Sequence, residues 1–223
     1  MSFIKVKRFY FNVLPTLFIL LGIFFVVAGF GPLIYDEAWF KIKELKNQQL
    51  ILNAKDAQED SPFARFLTNR AISLVPVNTD FALIIERIGV NVPVVADVTV
   101  TNKDAYMAAL KDGVAHASVS SYPSKEPGNV YIFAHSTVNF WELGRYAKAF
   151  NLLRKLNVGD RIHVIYQGTT YVYDVVNKEK YEGWDTYPIT RSVIEPILTL
   201  QTCDPPGTTL NRLVVTAKLV NSY

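Results

Sequence analysis

Hydrophobic and polar positions follow three different rhythms along this chain. From Val13 to Tyr35 there is no charged residue and no polar face. A helix of those residues would be about 34 Å long, enough to cross a hydrocarbon core of about 30 Å with some tilt. Pro15 falls in the first turn, where a missing N–H costs little, and Gly29, Gly31 and Pro32 loosen the far end. Residues 36–58 hold neither Pro nor Gly and are rich in helix formers. Trp39, Ile42, Leu45, Gln49 and Leu52 make a weak stripe at spacings of three and four, which predicts a solvated stalk helix. Residues 59–80, with Ser61, Pro62, Pro76 and Asn78, read as a linker.

From residue 81 the short β period takes over. Strands are expected at 81–88, 90–98, 129–135, 161–166, 170–176, 195–203 and 212–220, with Gln167-Gly168-Thr169 as a hairpin turn. Residues 102–113 predict a short helix capped by Asn102 and ended by Gly113, and residues 140–156 are helical in tendency. Seven or more short strands dispose of their edges best by closing. The expected fold is therefore mainly β: a closed barrel with short helices, preceded by one transmembrane helix. The expected organisation is a cytoplasmic N-terminus at 1–12, a signal anchor at 13–35, a helical stalk and linker at 36–80, and a catalytic β-barrel domain at 81–223.

Charge gives this arrangement a direction. Lys5, Lys7 and Arg8 precede the apolar run, and Asp36 and Glu37 follow it. The positive-inside rule keeps the N-terminus cytoplasmic and exports the rest. A cleaved signal peptide is the rival reading, but its apolar region is about 7–15 residues and ends in a small-x-small site, which is not found here. Half of the residues are hydrophobic and 19% are charged, which excludes a disordered chain. The net charge is +3, with Lys and Arg scattered, so no nucleic-acid footprint is present. No metal-ligand cluster stands out, Glu126, Glu182 and Asp185 being scattered, and no cofactor is implied.

The chain has one cysteine, so no internal disulfide can form. A lone cysteine is either a small buried hydrophobe or a nucleophile. Cys203 ends a strand just before Asp204-Pro205-Pro206-Gly207, which offers both precise aim and access. A thiol also needs a proton-handling partner. His163 alternates with Arg161 and reads as a solvated strand residue, while His116 reads as a surface or loop-packing residue. His135 ends the strand NVYIFAH and so shares the placement of Cys203; a capping or buried structural histidine is the alternative. Arg212 opens the strand after the Cys203 loop, and a hairpin would return it beside the thiol as an oxyanion or carbonyl donor.

The string TLQTC at 199–203, with an arginine nine positions on, resembles the TLxTC signature of sortases, the cell-envelope cysteine transpeptidases. The stretch from Gly113 to Thr137, with a Pro-Gly-Asn turn feeding a strand that ends in histidine, is similar to the sortase histidine region. The likeness covers about residues 81–220, with its landmarks in family order. It departs from the family at Ala134, where glycine commonly precedes the histidine, and residues 138–158 leave the subclass open. The resemblance implies that Cys203 is the nucleophile and His135 the catalytic histidine, with Arg212 steadying substrate and oxyanion. Thr202 would join Arg212 through its hydroxyl or backbone. It also implies surface-protein substrates bearing a C-terminal sorting signal, and an amine acceptor from a cell-wall precursor or a pilin lysine. Two other functions stay open: a hydrolytic cysteine peptidase on the same scaffold, and a non-enzymatic, membrane-tethered interaction module. Specificity is expected from the groove and from a loop over residues 177–194. There Trp184, Tyr187 and Pro188 either line a pocket or pack the loop down.

Overall fold

The computed structural model describes residues 2–52, 72–136, 146 and 148–223, with side chains of the first helix described at 15–28, 31 and 34–45. Helix α1 (Ser2–Leu45) runs through the apolar segment without interruption. Its described apolar side chains at 15–28 extend about 21 Å at the helical rise. Among the described residues, no helix is long and apolar enough to cross a membrane.

Strands β1 (Leu50–Leu52) and β2 (Ile72–Leu74) form a small parallel pair. The main body is a closed barrel of β3 (Phe81–Ile85), β4 (Val90–Val98), β5 (Val114–Ala117), β6 (Gly128–Phe133), β7 (Arg161–Tyr166), β8 (Thr169–Glu182), β9 (Pro196–Asp204) and β10 (Asn211–Ser222). Around the barrel the order is β10-β8-β7-β3-β4-β5-β6-β9, and closure leaves no open edge. Neighbours are antiparallel except β4 with β5 and β6 with β9. Side chains alternate across each strand, so every second residue enters the core: Val130 and Ile132, Leu198 and Leu200, Leu213 and Val215. At the β7–β8 turn, Gln167 and Gly168 both take positive φ, as a tight hairpin with a primed turn requires. Helix α2 (Lys103–Asp112) starts where Asn102 Oδ1 accepts the amide of Ala105, and short helix α3 (Tyr187–Thr190) follows β8.

Several expectations change, among them β2 inside the expected linker and β5, which holds His116, where no strand was expected. The first strand ends at Ile85, and Glu86–Ile88 form a 3₁₀ turn. Residues 177–182 are strand rather than loop, pairing from Asn177↔Thr216 to Glu182↔Asn211. Their polar side chains show no hydrophobic period, and the backbone ladder to β10 holds them extended. The stalk helix ends at Leu45, and its outer end packs on the barrel instead of standing in solvent. Phe40 and Lys43 are buried, Glu37 bonds Arg154 and Lys155, and Lys43 Nζ donates to Arg87 O, whereas Ile42 and Leu45 of the expected stripe are exposed. Finally, His163 is buried, with Nε2 3.0 Å from Glu86 Oε1. The outer face that carries it is covered by Leu52 and Leu74 of the small parallel pair, which pack with Ala82, Ile84 and Ile165. The segment expected to be helical at 140–156 lies partly outside the described residues; within it, Leu153–Lys155 form a 3₁₀ turn.

Candidate active site

The same alternation that fills the barrel sends a second set of side chains to its outer face. On β6 and its extension these are Tyr131, Phe133 and His135; on β9 they are Thr199, Gln201 and Cys203; on β10 they include Arg212. β6 and β9 run parallel with Phe133 opposite Gln201, so two further residues along each strand bring His135 level with Cys203. Three bonds hold that alignment beyond the regular ladder. Ala134 N donates to Gln201 O at 3.1 Å, Thr202 Oγ1 to Ala134 O at 3.0 Å, and Ser136 Oγ to Cys203 O at 2.6 Å. On the other side, Arg212 is the direct antiparallel partner of Cys203, and its Nη1 lies 3.5 Å from Cys203 Sγ. Nη1 also donates to Asn211 O and Thr209 O, which aims the guanidinium back over the hairpin loop.

Cys203, His135 and Arg212 line one cavity of about 480 Å³, together with Tyr106 and Leu110 of α2 and with Gly183, Trp184, Asp185, Thr186 and Ile189. Gly183 fits because a Cβ there would stand 2.2 Å from Thr209 O, so the segment after β8 closes against the Cys203–Arg212 loop. Of the loop residues, Trp184 borders the cavity while staying largely exposed, Pro188 is buried, and Tyr187, also exposed, takes neither expected role.

All three groups are half-buried, and burial shifts the titration of Cys203 and His135. It pushes the Cys203 thiol up, against a smaller opposing pull from the Arg212 cation, and it pushes the His135 imidazole down. Both directions favour a neutral thiol beside a neutral imidazole at rest. The His135 ring stacks obliquely 5.7 Å from Tyr106, with Nε2 3.1 Å from Met107 Sδ. A thioether is a weak acceptor, so this contact holds the ring without fixing its proton.

The sequence-expected residues Cys203, His135 and Arg212 thus meet in one cavity. Thr202 is buried and also lines this cavity, and its hydroxyl donates to Ala134 O, which ties the two strands together. Ala134 packs in the core cluster and also borders the cavity. His116 is fully buried, bonded through Nε2 to Ser120 Oγ and Ser121 O and packed on Tyr122, so it serves loop packing. Sequence reasoning missed Tyr131, whose hydroxyl donates to Gln201 Oε1 on the cavity wall, and Met107. Counting back by twos from His135 and Cys203 gives Tyr131 and Gln201; nothing in the sequence marks Met107. Among the described residues, no group of three or more His, Cys, Asp or Glu stands close enough to hold a metal.

Residues 83–220 match the family model described as the sortase domain. Among solved structures, the chain is similar to sortase C1 of GBS pilus island 1, with 26% identity over 63% of this chain and 64% of that one, at a TM-score of 0.53. It therefore spans just under two thirds of that relative. It is also similar to sortase C-1 from Actinomyces oris, with 25% identity over 65% of this chain and 76% of that one, at a TM-score of 0.53. To Listeria monocytogenes sortase A the likeness is one of fold alone: 19% identity over 65% of this chain and 88% of that one, TM-score 0.50. No curated protein matches the chain.

Proposed function

The chain belongs to the sortase family, and from that premise we propose that it is a membrane-anchored, extracytoplasmic cysteine transpeptidase. The observation that carries this reading is the Cys203 thiol held 3.5 Å from the Arg212 guanidinium in a cavity that His135 also lines.

In the proposed reaction, the backbone of a sorting signal enters the cavity with its scissile carbonyl over Cys203. His135 takes the thiol proton as the sulfur attacks the carbonyl carbon, so the charged pair is formed only when it is used. Arg212 donates to the tetrahedral oxyanion. Collapse breaks the C–N bond, and the His135 imidazolium gives its proton to the departing amine, leaving a thioester on Cys203. An amine of a cell-wall precursor or a pilin lysine then attacks the thioester, His135 accepts its proton, and the thiolate leaves. Thr202 positions this assembly by tying the His135 strand to the Cys203 strand.

The test is mass spectrometry of the full chain in detergent, incubated with a library of sorting-signal peptides and a glycine or lysine amine. An acyl adduct on Cys203 that passes to the amine is the expected result. Cleavage with no transfer to any amine would assign a hydrolase, and an inert thiol with no adduct would assign the interaction module.

Arg212→Lys separates charge from shape. Lysine keeps the cation but loses the planar fork of donors. Loss of one oxyanion donor costs about 10²–10³-fold, and a fall of about 10²-fold in kcat/KM is expected for this variant. Activity within threefold of wild type would exclude a bidentate role.

The anchor reading rests on the uncharged run 13–35, its basic leading flank and its acidic trailing flank. Phe18, Phe24 and Phe25, more than half exposed along α1, are side chains that water disfavours and lipid accepts. The full chain is expected to stay with membranes through alkaline carbonate washing, and removal of residues 1–35 is expected to release it. Release of the full chain by carbonate would rule out a spanning anchor.

A further inference from the structure

The outer barrel face that carries Cys203 continues down β9 to Gln201 and Thr199, two rungs or about 13 Å from the thiol. Thr199 faces Thr216 across the β9–β10 ladder, and near them on β6 lies Asn129. All three are buried although they lie outside the barrel core. What covers them is the segment after β8. Arg191 Nη2 donates to Thr199 Oγ1 and to Thr216 Oγ1, each at 2.9 Å. Thr199 Oγ1 in turn donates to Asn129 Oδ1 at 2.7 Å, and Asn129 Nδ2 donates to Pro188 O at 3.1 Å. The chain of bonds thus leaves the segment at Arg191 and returns to it three residues earlier, gripping α3 at both ends.

Two features set this apart from an ordinary surface arginine. Among the described residues Arg191 makes no ion pair within 4 Å, its buried Nε has no hydrogen-bond partner, and its side-chain hydrogen bonds go to two neutral hydroxyls. The residues between and before the two grips, Ile189, Thr186, Asp185 and Trp184, are those that line the cavity, whereas Arg191 itself does not. A short helix of one turn has little stability of its own, so the wall it forms keeps its shape only as far as it is pinned.

We propose that Arg191 is a positioning residue for substrate: through Thr199 and Thr216 it fixes the 183–190 wall of the Cys203 cavity in a receptive shape before substrate arrives. This rests on the transpeptidase reading above. The wall is then preformed, and its ordering is not charged against peptide binding. Arg191 acts on KM and leaves the chemical step to Cys203, His135 and Arg212.

The test is Arg191→Met in the full chain, read in two ways. Hydrogen–deuterium exchange needs no substrate: the amides of Ile189, Thr190 and Arg191, bonded within α3 to Thr186 O and Tyr187 O, are expected to exchange about tenfold faster, with β6, β9 and β10 unchanged. Kinetics with the peptide that acylates Cys203 in the wild type are expected to show KM raised about tenfold, the scale of one to two lost hydrogen bonds, with kcat within about twofold. Thr216→Val removes one acceptor only and is expected to raise KM about threefold, which keeps the test available should Arg191→Met fail to fold. Unchanged exchange at 189–191, or faster exchange with unchanged KM, would overturn the positioning role. A fall in kcat with KM constant would do so too, by moving Arg191 into the chemistry. A wild type that accepts no peptide would remove the transpeptidase reading, a different outcome that the wild-type arm reports separately.

Discussion

Replacing Cys203 by alanine is expected to abolish the acyl adduct and to lower peptide turnover by at least about 10⁴-fold, the scale on which loss of a nucleophile acts. The protein has no second cysteine to take over. Three hydroxyls of the cavity are already donating: Ser136 Oγ to Cys203 O, Thr202 Oγ1 to Ala134 O, and Thr208 Oγ1 to Pro205 O. The substitution removes one sulfur from a half-buried position on the outer face of β9, while the strand is held by its ladders to β6 and β10. The circular dichroism spectrum should therefore match that of the wild type, and the loss reads as chemistry. Turnover within a hundredfold of wild type in a folded Cys203→Ala protein would end the assignment.

His135→Gln is expected to lower kcat/KM by about 10²–10⁴-fold, the usual worth of a positioned acid–base group, and to change the pH profile in a defined way. Burial pushes the His135 imidazole down and the Cys203 thiol up. Below the imidazole's lowered value His135 is already protonated and cannot take the thiol proton. Above the thiol's raised value Cys203 is already ionised, and His135 is left without the proton that the leaving amine needs. The wild-type profile of kcat/KM should therefore be a broad bell, its acid limb below the ordinary imidazole range and its alkaline limb above the ordinary thiol range. The two groups share a site, so the limbs belong to the pair. Glutamine cannot carry the proton, and the acid limb should vanish from the residual activity. An acid limb that survives in His135→Gln would place the essential base elsewhere.

The candidate site residues were legible because their signals are local. Cys203 and His135 each end an apolar run at a polar loop, and the short loop between Cys203 and Arg212 allows only a hairpin return. The capped helix at 102–113 and the turn at Gln167-Gly168 were equally plain, since capping and positive φ are decided by a few adjacent residues. The positions that misled are those whose surroundings come from far along the chain. His163 alternates like a solvated residue, and only the small parallel pair laid over β3 and β7 makes it buried. Phe40 and Lys43 lie off the most regular stripe of α1, yet the barrel selects their face because Arg154, Lys155 and the Arg87 carbonyl wait there. Residues 177–182 carry no hydrophobic period, and β10 supplies the ladder that makes them strand.

By itself, then, the sequence determined most of the barrel's strands and picked out Cys203, His135 and Arg212 as candidates, because period, capping and loop length act over a few residues. The tertiary structure alone decided that β6 and β9 lie parallel in the register that sets His135 level with Cys203. It alone set Thr202 to tie those strands, and it brought Arg191 back beneath the cavity wall onto Thr199 and Thr216. Each of these depends on which distant strands are neighbours, and that is fixed by closure of the barrel around a shared core rather than by any stretch of chain.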